Sequence, residues 1–195
     1  TFLKTLEDKE FRNGLAEIVK YGVIEAPDIL ARLNDQADDL DSRNEAFMQT
    51  IIAKCCRIKK GIVEIDEKET GLRRILNFGH TLGHAIEAES GYSVTHGEAV
   101  SIGMAAAAII STHMKYLSVE DRDSLLSAIG KARLTDRIPR HVDLDGVISR
   151  LKTDKKKQGD KVNFVLLKKP GIPFMNGGVP EKVVRKTLEG LKDEG

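Results

Sequence analysis

The chain predicts a mainly α fold: a multi-helical domain with one small β-hairpin near its C-terminus. Three observations carry this. Apolar residues recur at helical spacing, as at Phe11, Leu15, Ile18, Val19 and Val23. Helix starts and stops punctuate the chain at Pro27, Gly91, Ser118 and Pro180. Only Val162–Leu167 and Ile172–Met175, separated by Lys-Lys-Pro-Gly, read as paired strands.

The elements follow in order. A helix spans about 8–25. Pro27 suits the first turn of the next helix, which ends near Asn34. Residues 34–41 are acidic and turn-like. Ser42-Arg43-Asn44-Glu45 matches a capping box and opens a helix to about Lys60, with Gly61 as its stop. Residues 62–72 are charged and read as a loop or irregular extended piece. A helix from about Asn77 to Ser90 is closed by Gly91, and another runs from His96 to about Tyr116. The apolar run of the latter, around Ala99–Ile110, is too short for a bilayer and reads as a buried helix rich in Ala and Gly. Ser118 with Asp121 caps a helix to about Lys131. Asp143 or Asp145 caps a short helix to about Lys152, and Pro180-Glu181 opens a last one to about Lys192. No internal repeat or low-complexity segment stands out.

Bulk composition excludes more than it assigns. Lys and Arg total 31 against 30 Asp and Glu, a net charge of +1, which calls for neither nucleic acid nor a membrane surface. The start, Thr1-Phe2-Leu3-Lys4-Thr5, has no initial Met and no signal-peptide pattern, which suggests a piece of a longer or processed chain. Cys55 and Cys56 are adjacent, so on a helix they point about 100° apart. They read as reduced thiols, consistent with a cytoplasmic protein.

The strongest local signal is Asn77-Phe-Gly-His80-Thr-Leu-Gly-His84-Ala-Ile-Glu87 followed by Thr95-His96-Gly-Glu98. Three of the five histidines fall here. His80 and His84 share a helix face one turn apart, and the glycines before them allow close approach. Neutral imidazoles grouped this way suit a divalent metal such as zinc, which in catalytic sites takes three protein ligands and keeps one position open. His113 and His141 lack such a setting. In Ala16-Glu17-Ile-Val-Lys20 the two charges share one face of an apolar helix, and Glu17 could complete a His/His/Glu set. Lys59, Lys60, Arg73, Arg74 and Asp154-Lys-Lys-Lys157 could grip phosphate or carboxylate, or form a solvated face. Arg73 and Asn77 would sit near the metal if their segment continues into the histidine helix. There is no Gly-rich nucleotide loop, Walker motif, Ser-His-Asp or Cys-His arrangement, or His-Asp dipeptide.

Taken together, Leu3-Lys-Thr-Leu6, Gly14-Leu-Ala-Glu-Ile-Val-Lys-Tyr-Gly22, Asp66-Glu67, Gly71-Leu-Arg73, Leu76–Glu87, His96-Gly-Glu-Ala99 and Asp154-Lys-Lys156 closely resemble the 3-dehydroquinate synthase family along the whole chain. The resemblance implies the C-terminal helical half of such an enzyme. Residues 1–195 would form a metal- and substrate-binding domain, with 1–7 a junction from a Rossmann-like NAD-binding half that would precede it. It implies Glu17, His80 and His96 as ligands of zinc (or cobalt). His84 is implied to be a substrate-side or proton-relay residue, although spacing alone would also nominate it as a ligand. Lys20, Lys59, Arg73, Asn77 and Lys156 (or Lys155) are implied to hold substrate, and Phe2, Leu3, Lys4 and Thr5 to touch NAD.

The implied reaction converts 3-deoxy-D-arabino-heptulosonate 7-phosphate to 3-dehydroquinate and phosphate in the shikimate pathway to aromatic amino acids. Its implied course is transient oxidation by NAD, loss of phosphate, reduction, ring opening and aldol closure. A cytoplasmic homodimer is expected, with the helical half inactive alone. The alternatives are a sister sugar-phosphate cyclase, such as a 2-deoxy-scyllo-inosose or 2-epi-5-epi-valiolone synthase, and a non-enzymatic metal-stabilised helical domain. A glycerol-dehydrogenase-like enzyme would share the architecture but carry a different metal pattern.

Overall fold

The computed structural model describes residues 2–68, 71–158 and 162–193, with the side chains of 154–158 left aside. Its helices are α1 (Asp8–Ile24), α2 (Pro27–Asp35), α3 (Ala37–Asp41), α4 (Glu45–Ile65), α5 (His80–Glu89), α6 (His96–His113), α7 (Val119–Lys131), α8 (Leu144–Gln158) and α9 (Glu181–Leu191). Short 3-10 segments cover Phe2–Thr5 and Leu72–Asn77. Strands β1 (Phe164–Lys169) and β2 (Ile172–Asn176) form one antiparallel hairpin, with Val165 opposite Met175 and a register shift between Leu167 and Lys169. The mainly α architecture and the hairpin are as the sequence predicts.

Helix α6 is the centre of the core. From Ala99 to Ala108 it is buried on every side. A helix that is apolar all round must be enclosed by others, and α1, α5, α7, α9 and β1 all pack on it. Ser111 near its end joins it to the hairpin: its hydroxyl donates to the Ala107 carbonyl (2.7 Å) and accepts from the Leu167 N–H (3.1 Å). Among the described residues no helix is long and apolar enough to cross a membrane.

The closest approach is between α5 and α6. A Cβ on Gly103 would lie 1.9 Å from the Gly79 carbonyl oxygen, and one on Gly83 would lie 2.9 Å from the Ala99 carbonyl oxygen. Gly79 also has φ +79°, a left-handed value that ends the 3-10 segment and turns the chain into α5. At the start of α6, a Cβ on Gly97 would lie 2.5 Å from the Asn13 Cα of α1. These glycines bring α5, α6 and α1 together at one corner.

Several boundaries differ from expectation. α4 runs through Gly61 to Ile65, because its buried face continues to Ile62 and nothing blocks the chain at Gly61. Its cap is Asn44, whose side chain accepts the Phe47 N–H (3.1 Å), rather than Ser42. Residues 37–41 form the short α3 instead of a turn. α5 starts at His80, after the break at Gly79, so the segment carrying Arg73 and Asn77 is not continuous with it. α8 extends past Lys152 to Gln158. At its start, Asp143 accepts the Gly146 N–H at 3.0 Å.

Replacing Gly103 by Ala forces two backbones apart. The expected cost is about 3 kcal/mol, measured by denaturant unfolding. Gly61→Ala, in open space within a helix, is expected to stabilise by about 0.5–1 kcal/mol. Equal effects at the two sites would contradict the close crossing.

Candidate metal centre

The corner where α1, α5 and α6 meet carries the histidine cluster. On α5, Leu82, Ala85 and Ile86 face the core. At helical spacing this leaves His80, His84 and Glu87 on the opposite stripe. His96 is the first residue of α6, set by a capping box in which the Glu98 carboxylate accepts from the Thr95 N–H (2.8 Å) and hydroxyl (2.7 Å). Glu98 of the His-Gly-Glu motif is therefore a cap, not a ligand. The Gly97 N–H donates to the Asn13 side chain (3.2 Å), one turn before Glu17 on α1. The three rings close into a triangle: centroids are 5.3 Å apart for His80–His84, 5.4 Å for His80–His96 and 5.9 Å for His84–His96.

Hydrogen bonds decide which atoms face inward. His80 Nδ1 lies 3.1 Å from the Phe78 carbonyl oxygen. A carbonyl only accepts, so the proton sits on Nδ1 and the lone pair on Nε2. That Nε2 is 3.5 Å from Glu17 Oε1. The other carboxylate oxygen, Oε2, accepts from the Lys20 ammonium at 2.6 Å. Lys20 is 4% exposed at its side chain, so the charge it gives Glu17 is barely screened. Burial pulls the Lys20 pKa below its ordinary value, and Glu17 offsets part of this.

Two lone pairs therefore face each other across 3.5 Å. A proton could bridge them, but burial, and then the Lys20 charge, lower His80 from 6.5 to about 4. His80 is therefore neutral at pH 7. Two ligands each about 2.1 Å from a tetrahedral ion lie roughly 3.4 Å apart, which matches the observed gap. His96 completes the set: one donor atom from each of Glu17, His80 and His96 falls within 4.8 Å of the others. The donor chemistry, two imidazoles and a carboxylate, fits zinc or cobalt.

The remaining predicted residues fall as follows. His84 is exposed beside the triad. Lys59 is exposed on α4, close enough that its charge adds to burial in lowering the Lys20 pKa. Arg73 donates to the Glu67 carbonyl (2.9 Å), and its N–H donates to Asp66 (3.0 Å). Asn77 lines a small cavity with Thr81, Gly103 and Phe164. The side chain of Lys156 lies outside the described ones. In the first 3-10 segment Phe2 is fully exposed, while the Leu3 carbonyl accepts from Arg43 (2.8 Å) and Lys4 approaches Glu45 (3.9 Å). Cys55 is buried and Cys56 exposed, both free; burial pushes the Cys55 thiol up to about 12. His141 bonds Ser93 and stays outside the cluster.

One participant escapes the spacing argument. Glu87 Oε2 lies 3.3 Å from His96 Nδ1. Its signal was present: Glu87 is three residues after His84 and seven after His80, on the same stripe.

The fold matches solved structures. A 2-epi-5-epi-valiolone synthase from Streptomyces hygroscopicus subsp. jinggangensis, with NAD+ and Zn2+ bound, superposes with TM-score 0.88 at 23% identity, covering 97% of this chain and 53% of that one. A 2-deoxy-scyllo-inosose synthase complexed with carbaglucose-6-phosphate, NAD+ and Co2+ gives TM-score 0.77 at 27% identity, covering 95% and 53%. The architecture is thus the helical domain of the dehydroquinate synthase-like synthases. The chain belongs to the 3-dehydroquinate synthase C-terminal family, which matches residues 14–157. The 3-dehydroquinate synthase of Nostoc punctiforme is 41% identical over 97% of this chain and 53% of its own length. That of Aliivibrio fischeri is 38% identical, with the same coverage. The chain spans about half the length of the curated relatives it matches.

A depressed His80 pKa has a sign that can be checked. Below pH 6.5 the unfolded chain takes up a proton that the folded one refuses until about pH 4. Metal-free stability should therefore fall as pH drops from 6.5 towards 4, by up to roughly 3 kcal/mol from this group. Urea unfolding at several pH values should show the slope in the wild type and lose it in His80→Gln.

Proposed function

We propose that this chain is the metal- and substrate-binding half of a 3-dehydroquinate synthase, which converts 3-deoxy-D-arabino-heptulosonate 7-phosphate to 3-dehydroquinate and phosphate. The observation that carries the reading is the facing pair of His80 Nε2 and Glu17 Oε1, 3.5 Å apart, with a donor atom of His96 within 4.8 Å of them. Support for the particular reaction comes from the relatives of that name, at 38–41% identity, against 23–27% for the two cyclases above.

Glu17, His80 and His96 would hold zinc or cobalt. A bound divalent ion supplies Lewis acidity towards a substrate hydroxyl or ketone, and NAD supplies the hydride chemistry. Lys20 holds Glu17 through Oε2 and aims it, leaving Oε1 for the ion. His84, exposed beside the triad, is placed to take or return a proton at substrate. Lys59, Arg73, Asn77 and Lys156 would bind the hydroxyls, carboxylate and phosphate; for Arg73 this requires release from the Glu67 carbonyl. Phe2 to Thr5 would meet NAD, held mainly by a nucleotide-binding half. On this reading the helical half is inactive alone, and the enzyme is a cytoplasmic homodimer of the shikimate pathway.

The test is phosphate release from 3-deoxy-D-arabino-heptulosonate 7-phosphate with NAD and zinc, by the protein that carries these residues together with a nucleotide-binding half. Turnover is expected. His84→Ala should lower kcat about 10²–10⁴-fold while zinc remains bound. Turnover of a different sugar phosphate in its place would overturn the assignment.

A further inference from the structure

We propose that Glu87 is a positioning residue that fixes which ring nitrogen His96, a member of two overlapping donor sets, offers to an ion. The inference rests on the reading that Glu17, His80 and His96 hold the ion. Beside that set, His84, Glu87 and His96 also bring one donor atom each within 4.8 Å of one another. Both sets need His96. A neutral imidazole has a single ring lone pair, so His96 serves one ion through one nitrogen.

The Glu87 carboxylate makes the choice. Its Oε2 faces His96 Nδ1 at 3.3 Å, and its side chain is 20% exposed against 48% for the imidazole. An ionised carboxylate only accepts, so it keeps the proton on Nδ1 and leaves the lone pair on Nε2. Nδ1 is thereby engaged, and Nε2 is the nitrogen His96 has to offer an ion. His84 stays free for substrate.

The geometry makes Glu87 a strut between two helices. It sits in the last turn of α5, where its backbone carbonyl accepts from the Ser90 hydroxyl (2.8 Å) and the Tyr92 N–H (3.0 Å). His96 opens α6. The α5–α6 contact itself is made by Gly79, Gly83 and Gly103, so removing the Glu87 carboxylate need not separate the helices. His80 has a counterpart in the Phe78 carbonyl, which fixes its tautomer in the same sense. Each imidazole of the triad thus has an acceptor on Nδ1, a backbone carbonyl for one and a carboxylate for the other. Such partners orient and strengthen metal-bound histidines.

The test compares zinc affinity, by competition with a chromophoric chelator, and the visible spectrum of the Co2+ form. The proteins are wild type, Glu87→Gln, Glu87→Ala, His84→Ala and Glu17→Ala. Glu87→Ala should bind zinc 10–100-fold more weakly and shift the Co2+ spectrum. Glu87→Gln, whose amide oxygen still accepts from Nδ1–H, should restore most of the affinity. His84→Ala should bind as the wild type does. If Glu17→Ala loses the ion and Glu87→Ala does not, the inference is wrong and the metal reading stands. If Glu17→Ala keeps the ion, or the wild type binds none, both fail. Nitrogen-15 NMR of the metal-free wild type gives an answer independent of any variant: His96 protonated on Nδ1 supports the inference, and His96 protonated on Nε2 overturns it.

Discussion

The crossing of α5 over α6 positions every histidine in the cluster. Two helices ordinarily keep 8–10 Å between their axes because side chains stand between them. Here Gly103 meets the Gly79 carbonyl and Gly83 meets Ala99, so backbone lies directly on backbone. That contact places His80 and His84, on one helix, within 6 Å of His96 at the start of the other. The Gly97–Asn13 contact does the same for α1 and delivers Glu17. The gathering of these donor side chains follows from sterics before any charge is considered.

Electrostatics then decide what the corner holds. Lys20 is buried with its ammonium on Glu17, so the carboxylate is fixed at one oxygen and open at the other. The same ammonium, together with burial, keeps a proton off His80. A corner that keeps a proton off His80 yet gathers a carboxylate and imidazole nitrogens is suited to a divalent cation. The open side, where His84 and His96 are exposed, is where substrate would approach.

Much of this was legible in the residues. The four-residue spacing of His80 and His84, and the shared face of Glu17 and Lys20, survive folding because helical geometry is local. Helix α6, the hairpin and the Ser118 cap were readable for the same reason. What was not legible depended on packing or on competing local signals. Gly61 reads as a stop, but a helix buried beyond it continues. Ser42 with Glu45 reads as a capping box, but the folded geometry makes Asn44 the cap. Gly79 reads as part of the histidine helix but breaks it, because its left-handed backbone accommodates the α6 contact. The place of Glu87 on the histidine stripe was readable from spacing, but its pairing with His96, on another helix, was not.

The most direct measurement is a zinc-edge anomalous difference map from crystals of the zinc-loaded protein. One peak is expected about 2.0–2.2 Å from Glu17 Oε1, His80 Nε2 and His96 Nε2. A peak between His84 and Glu87, or none at the α1–α5–α6 corner, would contradict it.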